Sequence, residues 1–524
     1  MSPVANASGH SNGQPPEIET VGVILVHGVG EQRRYEHLSG ETRNLLDALR
    51  ALANATPGAQ IDVEIMSGQQ SSYLADQDTW EGGAAVRVIA RGLAPKEIHF
   101  HFHEVWWGDV NETYSLAKQF RFWLWGLSVW RYPEKTASTL ASAQYVAPPI
   151  RPRGSWSTPW IRARLFGVSA VFTLLGFSIG TVSFLLKRLF DLDAPALLVT
   201  ITNYVSGIKL YNQRRRFGAG LIPNDDEFLD AIGEPPRVSI RRRMIRTIAE
   251  VACSDYERWY VFAHSLGSIA AFNGLMETDW AWPGYLSEAR WNALLNHSPP
   301  LAGAPRRDWN IDDGKTVPAR PTWAGNNVAY RRRIFERFRG LVTYGSPLEK
   351  FAAIWPARVP ISRTRGFAQG TEWINVFDPI DPVSGVLKSF SAQPEHCCPR
   401  PQNVGYAASP ILLLSHIRYF TPKGLRPDLA TSVARWLLGA AGVPGSKNNT
   451  FGTYQFQPGM PRAGIRSAAA WTMWIATFLL LAALGGVVFP LFVKAVAAAG
   501  SAVWQAISHL FFRERPPSSG WSSI

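Results

Sequence analysis

The stretch from Trp259 to Ala271, W-Y-V-F-A-H-S-L-G-S-I-A-A, constrains this chain more than any other. Tyr260, Val261, Phe262 and Ala263 make an apolar run that reads as a buried strand, and Ile269-Ala270-Ala271 opens a helix. Between them lies the sharp turn His264-Ser265-Leu266-Gly267. A serine at the tip of such a strand–turn–helix is strained and exposed. Small residues are required two before and two after it, because the strand and helix backbones pass closely there. Ala263 and Gly267 occupy those places. Taken alone, a small-x-Ser-x-Gly match is an ordinary turn or helix cap as readily as a nucleophile, so the rest of the chain must decide.

The surrounding pattern is one of strands alternating with helices. Val21–Val26 is a β-branched strand that runs into His27-Gly28-Val29-Gly30. It is followed by a helix over Leu38–Leu52, a strand at Ile61–Met66, a helix around Ala84–Leu93 and an alternating strand at Glu97–Trp106. His99, His101 and His103 share one face of that last strand. Three imidazoles two residues apart point along a line and do not converge on a metal, so a half-buried strand face is the simpler reading. The alternation resumes with a helix over Arg241–Ala252, which leads to the Trp259 strand. Further strands are expected at Leu341–Tyr344, Trp373–Phe377 and Ile411–Leu414, with a closing helix at Leu429–Leu438. The expected fold is therefore α/β, a doubly wound and mostly parallel sheet. Its core comes in two parts, 21–110 and 240–440, after a flexible polar tail at 1–20. The irregular Trp/Pro/Asn-rich stretch 279–327 reads as a lid beside the serine.

The insertion at 111–239 breaks the alternation and points to a membrane. Phe120–Trp130 is aromatic-rich and suits an interface, and Leu165–Leu186 carries no charge. About 20 apolar residues cross a bilayer core, so 165–186 is long enough to span. The two halves of the core must lie on one side of the membrane if they build one sheet. A second crossing is then needed, and Ala194–Leu210 is the candidate, as a span or a re-entrant helix. After a linker at 441–467, the uncharged run Ala468–Val493 is the strongest transmembrane signal, with an amphipathic or disordered tail at 494–524. Arginines at 151, 153, 162, 164 and 214–216 flank the first pair, which by the positive-inside bias puts the sheet in the cytoplasm, as at a bacterial-type inner membrane.

Composition agrees with an apolar partner. Charged residues make up only 18%, against 21 Trp and 27 Phe. The net charge of +13 is mostly arginine in clusters, several of which flank apolar stretches, while those at 241–243 and 331–333 also read as solvated faces; this favours anionic headgroups over nucleic acid, for which the chain has no recognisable motif. Three cysteines, Cys253 and the adjacent Cys397-Cys398, give neither a disulfide framework nor spaced zinc ligands, and fit a reducing compartment.

Acyl transfer by a serine needs a base, an acid that orients the base, and N–H donors for the oxyanion. Ser265 is the candidate nucleophile and His416 the candidate base. Two aspartates follow the strand at 373–377, Asp378 and Asp381, and either could be the acid. The amides of Leu266 and Val29 are the candidate oxyanion donors, with Gly28 and Gly30 shaping the loop. His264 adjoins the serine, but its side chain should point away, to pack or tune the turn.

These motifs together resemble the α/β-hydrolase superfamily, in particular its lipase- and esterase-like members. The matches are Val26-His27-Gly28-Val29-Gly30, Ala263-His264-Ser265-Leu266-Gly267 and Gly345-Ser346-Pro347. They continue in W-I-N-V-F-D-P-I-D-P from Trp373 to Pro382, and in His416-Ile417-Arg418-Tyr419. The resemblance covers about 20–110 and 240–440 and not the membrane segments. It implies Asp381 as the acid, with Asp378 second. It implies hydrolysis of a carboxylic ester through an acyl-enzyme, with no metal or organic cofactor. A lipid or phospholipid acyl ester at the bilayer is the expected substrate. A thioesterase or amidase would use the same three residues, and a non-catalytic membrane scaffold is the alternative of another class.

Overall fold

Two apolar strands lie side by side at the centre of a sheet, β1 (Ile18–Val26) and β5 (Arg258–His264), paired in parallel from Val21/Arg258 to Val26/Ala263. In the computed structural model they sit within an eight-stranded sheet. The residues described are 17–28, 36–65, 86–110, 211, 236–298, 318, 320–354, 358–359, 371–381, 383–391, 399–409, 414–420 and 429–439, with 468, 472, 494 and 501. The remaining strands are β2 (Gln60–Ile65), β3 (Val86–Arg91), β4 (Glu97–Val105), β6 (Phe338–Tyr344), β7 (Glu372–Phe377) and β8 (Pro401–Gly405). The order across the sheet is β2-β3-β4-β1-β5-β6-β7-β8. Every pairing from β4 to β8 is parallel, while β2–β3 and β3–β4 are antiparallel.

Strands β1 and β5 are apolar on both faces because both faces are covered. On one side lie α1 (Glu36–Asn54) and the last helix, α9 (Leu429–Gly439), which pack on each other. Leu45, Ala48 and Leu49 of α1 recur at helical spacing, and with Val433 and Leu437 of α9 they close over Val21, Val23, Leu25 and Phe262. Each of the valine, leucine and phenylalanine side chains among them, fully buried, contributes roughly 1.5–3 kcal/mol. On the other side lie α2 (Pro236–Cys253) and α3 (Gly267–Leu275). They meet where Gly274 sits against Met244, too close for a Cβ: one built there would lie within 2.4 Å of the methionine side chain. Five shorter helices complete the description: α4 (Glu288–His297), α5 (Arg331–Ile334), α6 (Leu348–Ile354), α7 (Lys388–Ser391) and α8 (Leu414–Ile417). The described parts of 279–327 pack on α2 through α4 and the turn Trp282–Tyr285, with Trp282, Tyr285 and Trp291 buried.

Two sequence expectations are corrected. The helix expected around 84–93 is the strand β3, whose consecutive Val88, Ile89 and Ala90 are buried between β2 and β4. The strand expected to end the sheet at 411–414 is absent at Leu414, which begins the short helix α8. The sheet instead ends at β8, too short and polar (P-Q-N-V-G) to stand out. The imidazole row on β4 is half-buried, with His101 and His103 both hydrogen-bonded to the Tyr256 hydroxyl. Among the described residues no group of three or more His, Cys, Asp or Glu is placed to hold a metal ion.

By backbone contacts the chain divides into two units. One comprises Met1–Tyr114, Arg131–Pro159 and Thr200–Ala470, and the other Ser115–Trp130, Trp160–Val199 and Trp471–Ile524. Of the second, only Thr472, Lys494 and Ser501 are described. The stretches 165–186 and 194–210, and 468–493 apart from those single residues, lie outside the described residues. Among the described residues no helix is long and apolar enough to cross a membrane.

Candidate active site

The parallel strands β1, β5, β6 and β7 all end at one rim, and the candidate residues sit on the loops leaving them. Strand β5 turns into α3 through Ser265, the one described non-glycine residue with positive φ, at 51°. Holding a serine in this left-handed region costs on the order of 1–3 kcal/mol, which the surroundings must offset. They do so by hydrogen bonds. The Ser265 amide donates to the Tyr344 carbonyl at the end of β6 (3.0 Å), and the Ser268 hydroxyl donates to the Ser265 carbonyl (2.6 Å). Gly267 allows the turn to close, because a Cβ there would lie 2.3 Å from the His27 carbonyl oxygen and 2.5 Å from that of Val26. The first turn of α3 is thereby pressed against the end of β1.

The loop after β1 is fixed by His27, which is fully buried. The Trp107 amide donates to its Nε2 (2.9 Å), so the neutral ring carries its proton on Nδ1 and gives it to the Gly28 carbonyl (2.7 Å). The Trp107 indole stacks on the imidazole at 4.8 Å and donates to the His27 carbonyl (3.2 Å). Gly28 then passes so near the serine that a Cβ on it would stand 2.7 Å from the Ser265 Cβ. The Leu266 amide is next in the chain after Ser265, at the amino end of α3. Val29 and Gly30 lie outside the described residues.

His416, on α8, joins the serine to the acid loop after β7. Its Nε2 is 2.8 Å from the Ser265 Oγ and its Nδ1 is 2.9 Å from the Asp381 Oδ2. With Nδ1–H donating to the carboxylate, Nε2 is left to accept the serine hydroxyl, the arrangement in which an imidazole can take that proton. Burial alone would raise the Asp381 carboxyl. The His416 ring, the Val383 amide (2.8 Å to Oδ1) and the Tyr419 hydroxyl (2.8 Å to Oδ2) outweigh it and hold the group down to about 2.

The two aspartates left open by the sequence are separated by their donors. Asp378 accepts the amides of Ile380 (3.1 Å) and Ala408 (2.7 Å), and so ties its loop to the strand end after β8. Its carboxylate is a backbone brace, and it is Asp381 that reaches His416. The loop is anchored from below by Asn375 of β7, which bonds to Thr343, Asn403 and the Gly385 carbonyl.

Two contacts of the site were not legible as such in the sequence. The first is that of His264, whose ring packs at the turn: its Nε2–H donates to the His416 carbonyl (2.8 Å), and its ring lies 5.0 Å from the His416 ring and stacks on Tyr344. Burial, aided by His416, pushes the His264 imidazole down to about 3, so it stays neutral. The second is the Tyr419 hydroxyl on Asp381, since the sequence marked Tyr419 only as the end of the His416-Ile417-Arg418-Tyr419 match.

Comparisons with protein-family models, with curated proteins and with solved structures find no match to this chain.

Proposed function

We propose that the chain is a serine hydrolase of the α/β-hydrolase kind, acting on carboxylic esters at a membrane. The observation that carries this reading is the hydrogen-bonded chain from Ser265 through His416 to Asp381, ending on a serine held at positive φ. His416 takes the Ser265 proton as Oγ attacks the ester carbonyl, and Asp381 balances the imidazolium. The Leu266 and Val29 amides receive the oxyanion. On collapse, the proton passes from His416 to the leaving alcohol. Water, deprotonated by the same imidazole, then releases the acid from Ser265.

The substrate class rests on sequence. The uncharged stretches 165–186 and 468–493, the aromatic content and the arginine flanks suit a lipid or phospholipid acyl ester reached from the cytoplasmic face of an inner membrane. A fluorophosphonate probe applied to membranes holding the full chain tests the catalytic part. Labelling of wild type and its complete loss in Ser265→Ala is expected. A folded wild type that stays unlabelled while other serine hydrolases in the sample react would overturn the reading.

A further inference from the structure

We propose that Tyr419 is a positioning residue of this site, the fourth member of the hydrogen-bonded chain, which sets how strongly Asp381 holds His416. The inference rests on the serine-hydrolase reading and adds to it a residue that the Ser-His-Asp chemistry does not require.

The geometry is specific. His416 lies on α8 (Leu414–Ile417), and Tyr419 lies two residues beyond its end, where the chain has left the helix. They converge on one oxygen, the Asp381 Oδ2, from Nδ1 at 2.9 Å and from the phenol at 2.8 Å. The phenol has one proton, and the carboxylate can only accept, so that proton goes to Asp381. The phenol oxygen is itself oriented by the Asp378 amide at 2.9 Å, with the Ser384 hydroxyl at 3.1 Å. Asp378, the aspartate that does not touch His416, thus contributes its backbone to the residue that does share the acid. The Tyr419 ring is fixed independently of its hydroxyl. It is buried, stacks on Tyr406 and meets Tyr344 edge-on. Burial and the neighbouring Asp381 raise the phenol well above its ordinary value, so it remains a donor.

A donor on Oδ2 withdraws charge from the oxygen that faces the imidazole. Removing it leaves more of that charge facing His416, which favours the imidazolium and so leaves less of the ring neutral to take the Ser265 proton. Among the described residues, the other ionisable groups beside this pair include His264, Lys350 and Asp378, whose carboxylate accepts the Ile380 and Ala408 amides. His264 at the end of β5 is neutral, and Lys350 of α6 donates to the Ser384 carbonyl (3.1 Å) and is felt by Asp381. Neither bonds to Oδ2 among the described contacts, so the phenol is the group whose loss changes that oxygen.

The test is the rate of fluorophosphonate labelling against pH for wild type and Tyr419→Phe, full-length in membranes, with melting temperature recorded for both. Phenylalanine keeps the stacked ring. The expected result is a labelling rate near neutral pH lowered on the order of tenfold, with the acid limb of the profile moved to higher pH. A structural role alone would reduce the fraction of protein that labels, or its melting temperature, and leave the limb of the surviving enzyme in place. An unmoved acid limb with an unchanged rate overturns the proposal while leaving the hydrolase reading intact. An unlabelled wild type removes the reading on which it rests.

Discussion

Two buried carboxylates in this molecule are each held by a side-chain N–H and a tyrosine hydroxyl, and they end differently. At the rim, the Asp381 Oδ2 takes a histidine N–H and a tyrosine hydroxyl, His416 and Tyr419. On the α2 flank, the Glu277 Oε2 takes an arginine N–H and a tyrosine hydroxyl, Arg241 at 3.0 Å and Tyr285 at 3.0 Å, and Arg241 also donates to the Tyr285 oxygen (3.2 Å). Both clusters are almost wholly out of water. The guanidinium has donors only and never gives up its charge, so the Glu277 cluster can hold α2 to the turn after α3 and nothing more. The imidazole has a second nitrogen that accepts, and at 2.8 Å from it stands Ser265. One module clamps, and the other can pass a proton.

The largest effects should come from removing the basic partner of each cluster. His416→Ala should slow fluorophosphonate labelling by on the order of 10⁴-fold or more, because the serine loses its base, and should cost less stability than loss of Arg241, because the Val383 amide and Tyr419 hydroxyl still donate to Asp381. Arg241→Ala should do the reverse. It leaves a fully buried carboxylate without its cation and should cost about 3–5 kcal/mol of stability, with the labelling rate per folded molecule unchanged. Denaturant unfolding and labelling, run side by side, check both. An Arg241 variant that folds well yet labels slowly would break the distinction between clamp and relay.

A second pair separates the two aspartates of the acid loop. Asp381→Asn should lower the labelling rate about 10³-fold, since an amide neither balances the imidazolium nor holds the required tautomer. Asp378→Asn should leave the rate within a few-fold and cost about 1–3 kcal/mol. Its new NH₂ would face one of the two backbone donors, Ile380 or Ala408, that the carboxylate now accepts. Equal rate losses in both variants would mean that the brace and the acid act as one unit.

The central strands were legible because short, all-apolar, β-branched runs such as Val21–Val26 and Tyr260–Ala263 have no other way to be buried. Strand β3 was not, because A-A-V-R-V-I-A-R-G-L in an alanine-rich window also satisfies a helix; pairing with β2 and β4, which no local pattern reveals, decides it. Strand β8 was missed because it is an edge strand with polar residues, whose Asn403 is there to bond Asn375 and the Leu387 amide. Spacing brought out Ser265, His416 and the acid loop, but it could not choose between Asp378 and Asp381. Both are followed by proline and a turn, and the choice lies in which carboxylate the backbone amides have already taken. The partner of His264 was not legible for a similar reason. The acceptor that turns it inward, the His416 carbonyl, comes from a loop far along the chain.

His264 also supplies the smallest expected difference between the two clusters, a dependence on pH. Its imidazole is ordinary in the unfolded chain and pushed down to about 3 in the fold, so between those values the unfolded state binds the extra proton. Stability tied to the neutral ring is therefore complete above about pH 6.5 and is lost progressively as the pH falls towards 3, roughly 2 kcal/mol between pH 6.5 and 5. In His264→Gln, which keeps a side-chain N–H for the His416 carbonyl, this part of the slope should disappear. In Arg241→Ala the slope should persist at a lower overall stability, because a guanidinium holds its proton throughout that window. Urea unfolding at a series of pH values measures all three curves. A wild-type curve that is flat from pH 6.5 to 5 would mean that the ring takes up its proton inside the fold, and that the contact between His264 and the His416 carbonyl survives the charge.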